Sequence, residues 1–146
     1  MLKLERILVP IDFSPTARRA LEAAAQLARL AGGKLYVLHV LDTRGLEVAA
    51  SEGFFEYVNV VDAMRRGAEQ ELRALVDELQ LGEVVAKCVV DEGTPTSAIR
   101  RAIDDHGVGL VVMGTHGRSG VVRWLLGSVA EKTVRTAPCP VLVVKP

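Results

Sequence analysis

The sequence predicts an α/β protein: one doubly wound, five-stranded parallel sheet with helices on both faces. Apolar runs rich in Val and Ile alternate with segments of helical periodicity along the 146 residues, which is typical of a mostly parallel sheet covered by helices. The length suits one domain, because a chain of this size buries ~70% of the surface that it exposes when unfolded. We therefore expect one domain over residues 1–146, with the strand order 3-2-1-4-5 of a doubly wound sheet.

Charge and composition exclude several classes of protein. Lys and Arg total 18 against 18 Asp and Glu, so no basic field exists to neutralise nucleic-acid phosphates. No run approaches the ~18 consecutive apolar residues of a membrane span, and the charged start MLKLERILVP does not resemble a secretory signal. We expect a cytoplasmic protein that binds neither nucleic acid nor membrane. Its cysteines, Cys88 and Cys139, lie in apolar runs and are interpreted as small buried hydrophobes.

The first strand and helix have clear boundaries in the sequence. Residues 6–11 form an apolar run that predicts a buried strand. Ser14 and Pro15 then predict the start of a helix, because Ser is a favoured N-cap and Pro suits the first helical position. An apolar stripe continues until Gly32 and Gly33, which predict the end of this helix.

A second strand is predicted over 34–41, and a loosely patterned segment over 42–57 follows it. This segment is longer than most connections in compact domains, so we interpret it as a loop or a lid. Phe54, Phe55 and Tyr57 gather there. The favoured interpretation is that these rings pin the segment onto the core, and the alternative is that they stack on a bound ligand.

The rest of the chain continues the alternation. The remaining predicted elements are a helix over 60–79, a strand over 83–90, a helix beginning at Thr94 and Pro95 and ending at Gly107, a strand over 109–113, a helix opened by a capping box of Ser128 and Glu131, and a strand over 141–144. The prediction thus contains five strands and four helices.

Two strand ends carry the candidate binding residues. Pro10, Ile11 and Asp12 end the first strand, and Met113 leads from the fourth strand into a glycine-rich segment, 114–128. In an open parallel sheet, ligands bind beyond the carboxyl ends of the strands where the strand order reverses. Because the first and fourth strands are neighbours in the predicted order, both ends face one crevice.

The glycine-rich segment predicts a site for phosphate. Glycines at positions 114, 117, 120 and 127 permit positive φ and let a ligand approach the main chain, so that successive N–H groups can form a nest around phosphate oxygens. Ser128 opens a helix whose first N–H groups lack intrahelical partners and favour an anion. We therefore expect this segment to bind a phosphate-bearing ligand as a unit.

The spacing Gly114-x2-Gly117-x9-Gly127-Ser128, followed by Val129, resembles the ATP-binding motif of the universal stress proteins. The resemblance covers nearly the whole chain, from the opening ILVPIDFS to the closing APCPVLVV. It implies a flavodoxin-like, adenine nucleotide alpha hydrolase-like fold, ATP with Mg²⁺ bound without a P-loop, homodimers paired through the last strand, and a role in stress response or signalling. No Lys precedes Ser128, so the P-loop pattern is indeed missing.

The resemblance also implies roles for individual residues. Asp12 would contact the ribose or the Mg²⁺-phosphate region, with Mg²⁺ held through the phosphates. Pro10 and Ile11 would shape the adenine side, and Val40 would contact adenine through its backbone. The residues that would cradle the phosphates are Gly114, Gly117, Gly127, Ser128 and Val129. Met113, His116 through its backbone, and Arg118 complete the candidate binding set.

Several of these residues have a competing interpretation. Asp12 is also suited to cap the turn before the first helix. Arg118 and Arg123 either bond phosphate oxygens or project into water. His116 has no neighbour in sequence that would tune it as a general base, and neither a base nor an arginine finger is evident, so we expect no catalytic residue and at most weak ATPase activity.

The remaining histidines and the last strand complete the expectations. His39 and His106 are interpreted as structural, because no second metal ligand lies at a recognisable spacing. Homodimers would pair through the apolar edge formed by Val141, Leu142, Val143 and Val144.

Two other functions stay open at this point. One is a nucleotide-free dimeric interaction module. The other is a receiver-like phosphoacceptor domain that would use Asp91 with Asp12, Thr115 and Lys145. The second is weaker because no pair of acids stands beside Asp12 to bind a metal.

Overall fold

A computed structural model describes residues 2–116 and 126–146 of the chain. It contains a five-stranded sheet in the order β3-β2-β1-β4-β5, with every neighbouring pair parallel. The strands are β1 (Arg6–Pro10), β2 (Lys34–Leu41), β3 (Val85–Glu92), β4 (Leu110–Gly114) and β5 (Val141–Val144), and the helices are α1 (Pro15–Ala31), α2 (Leu46–Ser51), α3 (Tyr57–Glu78), α4 (Pro95–His106) and α5 (Ser128–Thr136). The predicted fold class and strand order are confirmed.

The alternation of side chains along each strand divides the core between the two faces of the sheet. Ile7 and Val9 of β1 pack with α1 and α3, whereas Leu8 packs with α4 and α5. Successive side chains of a strand point to opposite faces, so a strand that is apolar throughout is needed to serve both layers. Residues 7–9 are fully buried, as this arrangement requires.

The boundaries of α1 follow the predicted capping residues. The Ser14 hydroxyl accepts a hydrogen bond from the Ala17 N–H at 3.2 Å, and Pro15 is the first helical residue. At the other end Gly32 adopts φ 67° and donates its N–H to the Ala28 carbonyl, the left-handed cap that favours glycine. Gly33 has a steric reason as well, because a Cβ there would lie 2.0 Å from the Leu4 carbonyl oxygen.

The segment over 42–57 differs from the prediction. It contains the short helix α2, and α3 begins at Tyr57 rather than at residue 60. Tyr57 packs against a small cluster that includes Leu41 and Val61. Phe54 is 74% exposed, so the interpretation that all three rings pin this segment is wrong for Phe54. Burial of Tyr57 extends the helix, which helical periodicity alone did not indicate.

Smaller shifts affect three strands. β3 lies two residues further along than predicted, at 85–92 rather than 83–90, because the main-chain bond from Leu35 N–H to Val84 O sets its start. β1 ends at Pro10 and β4 extends to Gly114. Thr94 occupies the N-cap position of α4 but makes no side-chain cap bond; its hydroxyl donates to Ser97 Oγ at 2.8 Å instead.

Two further findings concern membranes and thiols. In the described parts of the chain, no helix has the length and apolar character that a membrane crossing needs. Cys88 and Cys139 are partly buried, on opposite faces of the sheet. Desolvation raises the pKa of both thiols, which disfavours the reactive thiolate.

Replacing Ser14 by Ala should lower the free energy of unfolding by about 1 kcal/mol, because the Ala17 N–H at a buried helix start loses its acceptor. Thr94→Ala is the matched control, since Thr94 holds the same position in α4 without a cap bond, and its effect should be clearly smaller. Urea denaturation measures both. Equal losses would show that the Ser14 bond contributes nothing specific.

Candidate functional site

The register of the sheet brings the predicted strand ends together. Pro10 pairs with Leu38 of β2, so continuing the register places Asp12 beside Val40. Leu8 pairs with Val111 of β4, and the same continuation places Ile11 beside Gly114. Neighbouring strands lie ~4.8 Å apart, so these ends form one edge at the point where the strand order reverses.

A tight turn carries the chain from β1 into α1. Asp12 Oδ1 accepts a hydrogen bond from the Ser14 N–H at 2.9 Å, and Phe13 between them adopts φ 62°. Positive φ is unfavourable for an aromatic residue and persists only where surrounding contacts enforce it. The turn-capping role considered for Asp12 is therefore real, and the carboxylate lies at the carboxyl edge of β1.

The side chain of His39 supports this turn from the other face of the sheet. Its Nδ1 lies 2.7 Å from the Ile11 carbonyl oxygen, and its ring centroid is 4.7 Å from that of Phe13. A carbonyl oxygen only accepts, so Nδ1 carries the proton. Phe13 packs with the α1 and α3 core, whereas Val40 packs with the α4 and α5 core. His39, which packs against Phe13, thus lies on the α1 and α3 face of the sheet, opposite the face on which the Val40 side chain packs.

Main-chain bonds at the end of β4 attach the start of α5 to the same edge. The Thr115 N–H donates to the Val144 carbonyl at 3.0 Å, and the Gly127 N–H donates to the Thr115 carbonyl at 2.6 Å. Thr115 is 6% exposed, and its Oγ1 lies 2.9 Å from His116 Nδ1. The two ends of the glycine-rich segment therefore meet at the end of β4.

The N-terminus of α5 is arranged differently from the predicted capping box. Gly127 is the N-cap, and Ser128 is the first helical residue. The first intrahelical bond runs from Glu131 N–H to Gly127 O, so the amides of residues 128–130 precede it. Within 2–116 and 126–146, no side chain caps this helix. The capping-box prediction is wrong because Ser128 is the first helical residue rather than the N-cap, and Glu131 is ion-paired with Arg135.

The two helix starts at this edge therefore differ in what they offer an anion. α1 is capped by its own buried serine, and Pro15 contributes no N–H. α5 begins with main-chain donors and with Ser128, whose side chain is exposed. Aligned peptide dipoles and unpaired N–H groups make such an end favourable for a negative group. Of the two, α5 is the better candidate for contacting phosphate.

Comparisons with known proteins decide the family. The model of the universal stress protein family matches residues 3–145. The chain belongs to this family. Universal stress protein MJ0531 of Methanocaldococcus jannaschii is 30% identical over 141 residues, which cover 97% of this chain and 82% of that protein. YxiE of Bacillus subtilis is 32% identical, covering 96% of this chain and 98% of that protein.

Solved structures of universal stress proteins share the fold over nearly their whole length. UspA from Lactobacillus plantarum superposes with a TM-score of 0.84 at 25% identity, covering 99% of this chain and 100% of that chain. The protein MJ0577, from Methanocaldococcus jannaschii, superposes with a TM-score of 0.82 at 31% identity, covering 98% and 96%. The family resemblance inferred from the glycine spacing and the two chain ends is confirmed.

Most of the candidate residues of this universal stress protein lie at the one edge. They are Pro10, Ile11, Asp12, Val40, Met113, Gly114, His116, Gly127, Ser128 and Val129. Gly117 and Arg118, with Gly120 and Arg123, lie outside the described residues. The edge therefore brings together the strand-end part of the predicted site.

Gly114 has a packing role that the motif did not indicate. A Cβ at this position would lie 2.7 Å from Thr16 Cγ2 and 3.2 Å from the Thr16 carbonyl carbon. The shorter of these distances is one that real Cβ atoms essentially never show, so the first turn of α1 packs directly on the backbone of β4. The absence of a side chain at Gly114 is explained by helix packing before any ligand is considered.

The arrangement disfavours the receiver-like alternative. β3 is an edge strand, and β2 separates it from β1. Asp91 is therefore two strands from Asp12, roughly 10 Å at the spacing of neighbouring strands. Its carboxylate forms an ion pair with Arg101 at 3.0 Å. Among the described residues, no cluster of three metal-ligating side chains occurs.

Charge near the end of β2 is also locally paired. Arg44 Nε donates to Asp42 Oδ1 at 2.7 Å, and the hydrogen bonds from Arg44 lower the pKa of the Asp42 carboxyl. Both side chains are largely exposed, so the pair contributes little stability. The pair favours the ionised form of the Asp42 carboxyl, and the Arg44 charge balances that negative charge.

Sequence reasoning missed the roles of Phe13 and His39. The alternation in LYVLHV identifies His39 as a strand residue but does not reveal its partner, which lies 28 positions earlier. Positive φ at Phe13 has no signal in residue type, since Asn or Gly would be expected there. A polar residue within the apolar run 35–41, two positions before the carboxyl end of β2, was the available hint.

Gly114→Ala should lower the free energy of unfolding by about 1–3 kcal/mol, the usual cost of overpacking a close contact. Thr16→Ser removes the nearest carbon atom, so the double variant should recover part of the loss. Chemical denaturation of the four proteins in a double-mutant cycle gives the coupling energy. Strict additivity of the two substitutions would rule out the contact as the reason for glycine.

Proposed function

We propose that this universal stress protein binds ATP with Mg²⁺ at the edge formed by β1, β4 and the start of α5. It would act in the cytoplasm as a nucleotide-dependent signalling or stress-response module, with slow or no ATP hydrolysis. The observation that carries the proposal is the meeting of a carboxylate turn and a helix N-terminus that no described side chain caps, where the strand order reverses. Ligands of open α/β sheets bind at such reversals.

The described residues suit the two ends of the nucleotide. On the phosphate side, the amides of residues 128–130 and the Ser128 hydroxyl are donors, and Gly127 is bonded to the end of β4 at 2.6 Å. On the nucleoside side, Pro10, Ile11 and the backbone of Val40 form a largely apolar border suited to adenine. Gly117, which belongs to the motif, and Arg118, a further candidate, would add to the phosphate side.

Asp12 lies between these ends and suits either a ribose hydroxyl or the cation. Its carboxylate can accept from a hydroxyl, or reach Mg²⁺ through the phosphates, because Mg²⁺ is commonly held by one or two carboxylates and substrate phosphates. A bound Mg²⁺ would supply neutralisation of phosphate charge. The chain's own part is to hold the carboxylate in a fixed turn by the 2.9 Å bond from Ser14 N–H.

Asp12→Asn should weaken binding of ATP with Mg²⁺ about 10- to 100-fold, the range for losing a charged hydrogen-bond partner. The amide oxygen can still accept from Ser14 N–H, so the free energy of unfolding should change by less than about 0.5 kcal/mol. Isothermal titration calorimetry and urea denaturation measure the two quantities. Asp105→Asn, an exposed carboxylate on α4, is the matched control and should change neither.

Two results would contradict the nucleotide assignment. If the wild-type protein gave no heat and no thermal shift with millimolar ATP and Mg²⁺, the alternative of a dimeric interaction module without nucleotide would stand. If Asp12→Asn lost stability while keeping full affinity, Asp12 would serve the turn alone.

The edge strand β5 supports a proposed homodimer. In the described part of the chain, β5 pairs on one side only, with β4. Leu142 on this strand is 41% exposed and Val134 on α5 is 47% exposed, so an apolar edge faces outward. An unpaired apolar strand edge is a template for pairing with another chain. A second copy pairing through Val141–Val144 would cover it.

Leu142→Lys should convert the dimer to a monomer, because a charge on the strand opposes burial of that edge. Leu30→Lys is the matched control, since it places the same charge on another exposed leucine, 87% exposed on α1. Light scattering at micromolar concentration gives the mass of each protein. A wild-type monomer, or a Leu142→Lys dimer, would remove this interface.

A further inference from the structure

A backbone carbonyl at the end of β1 is held by a side chain where the sheet would supply a main-chain donor. The Lys34 N–H donates to the Glu5 carbonyl at the start of the β1–β2 pair, and every second residue of β2 faces β1 in this way. The same alternation gives the Val40 N–H to the Ile11 carbonyl. In the described structure that carbonyl is bonded by His39 Nδ1 at 2.7 Å.

The same imidazole ring also packs on the residue that forms the turn. Its centroid lies 4.7 Å from that of Phe13, with the planes tilted by 43°. Phe13 holds φ 62°, and such a conformation needs outside support. One side chain thus touches the last residue before the turn through a hydrogen bond and the strained residue of the turn through its ring.

We infer that His39 is a positioning residue for the nucleoside end of the site. This inference rests on the proposed nucleotide function. His39 bonds the Ile11 carbonyl, and among the described residues no main-chain bond runs from Val40 to Ile11. The β1–β2 ladder therefore ends at Ile11, which leaves the Val40 amide for the adenine ring. By packing on Phe13, it holds the turn that presents Asp12. His39 acts through these residues from the opposite face of the sheet and does not contact the ligand.

His106 provides a comparison within the same chain. Its ring stacks on Tyr36 with centroids 4.9 Å apart, and it ends α4 near the start of β2. It is therefore a partly buried histidine with an aromatic neighbour. It contacts the start of β2, whereas His39 lies near the other end of that strand. Substituting it tests the general effect of losing such a histidine.

Three variants separate the two contacts of His39. His39→Phe keeps a ring against Phe13 and removes the hydrogen bond to Ile11. His39→Asn places an amide N–H where Nδ1 was and removes the ring. We expect His39→Phe to weaken binding of ATP with Mg²⁺ about 5- to 20-fold, the range for one hydrogen bond. His39→Asn should recover at least half of that loss on a logarithmic scale. His106→Phe should change binding by less than about twofold.

The choice of ligand distinguishes positioning from a general loss of structure. The measurement is calorimetric titration with ATP and Mg²⁺, and in parallel with adenosine. Because His39 acts on the nucleoside end, His39→Phe should weaken both ligands by the same factor. A loss confined to ATP, or no rescue by His39→Asn, would overturn the positioning role.

A measurement without nucleotide tests the contact itself. ¹⁵N chemical shifts of the imidazole should identify the His39 tautomer with the proton on Nδ1, and the amide resonances of residues 12–14 should shift in His39→Phe but not in His106→Phe. The opposite tautomer would overturn the inference. If the wild type bound neither ligand, the proposed function would fail, and with it the positioning role. Wild-type binding with an unaffected His39→Phe would remove only the role of His39.

Discussion

The structure depends on how the main-chain hydrogen bonds are distributed where β1 leaves the sheet. A central parallel strand forms main-chain hydrogen bonds on both sides. Where its chain leaves the sheet, a carbonyl loses its main-chain donor and needs another donor in its place. Here the Ile11 N–H still donates to Leu38 at 2.7 Å, and the His39 ring holds the Ile11 carbonyl. The turn through Asp12 and the capped start of α1 both follow from that departure.

Residues of one type serve different purposes at this edge. Gly114 lacks a side chain because the first turn of α1 lies against it, whereas Gly127 forms the extended N-cap of α5, with φ −59° and ψ 158°. The two helix starts differ similarly, since Ser14 satisfies its own helix and Ser128 does not. A motif defined by glycine and serine therefore combines packing positions with positions suited to a ligand. The candidate site is built as much by helix–sheet packing as by the main-chain donors at the start of α5.

Arginine side chains of α3 and α4 bind the carboxyl end of β3. Arg65 of α3 donates to the Val90 carbonyl at 2.5 Å and pairs with Glu92 at 2.7 Å. Arg101 of α4 donates to the Glu92 carbonyl at 2.9 Å. Both helices that flank β3 are therefore fastened to its carboxyl end by charged hydrogen bonds, which are stronger than neutral ones. Arg101 also pairs with the Asp91 carboxylate at 3.0 Å, so Asp91 takes part in the same attachment of α4 to β3.

Local sequence determined the sheet, its strand order and α1, because strands apolar throughout must be covered on both faces and Ser-Pro and Gly-Gly delimit a helix without tertiary help. It also indicated the edge that carries the site, since the reversal of strand order follows from the order itself. Tertiary structure alone decided the start of α5, the helix within 42–57, the packing role of Gly114 and the partnership of His39 with Ile11. Each of these features depends on contacts between residues that are distant in sequence. Periodicity does not encode such contacts, so it cannot decide which of several suitable residues caps a helix or bonds a given partner.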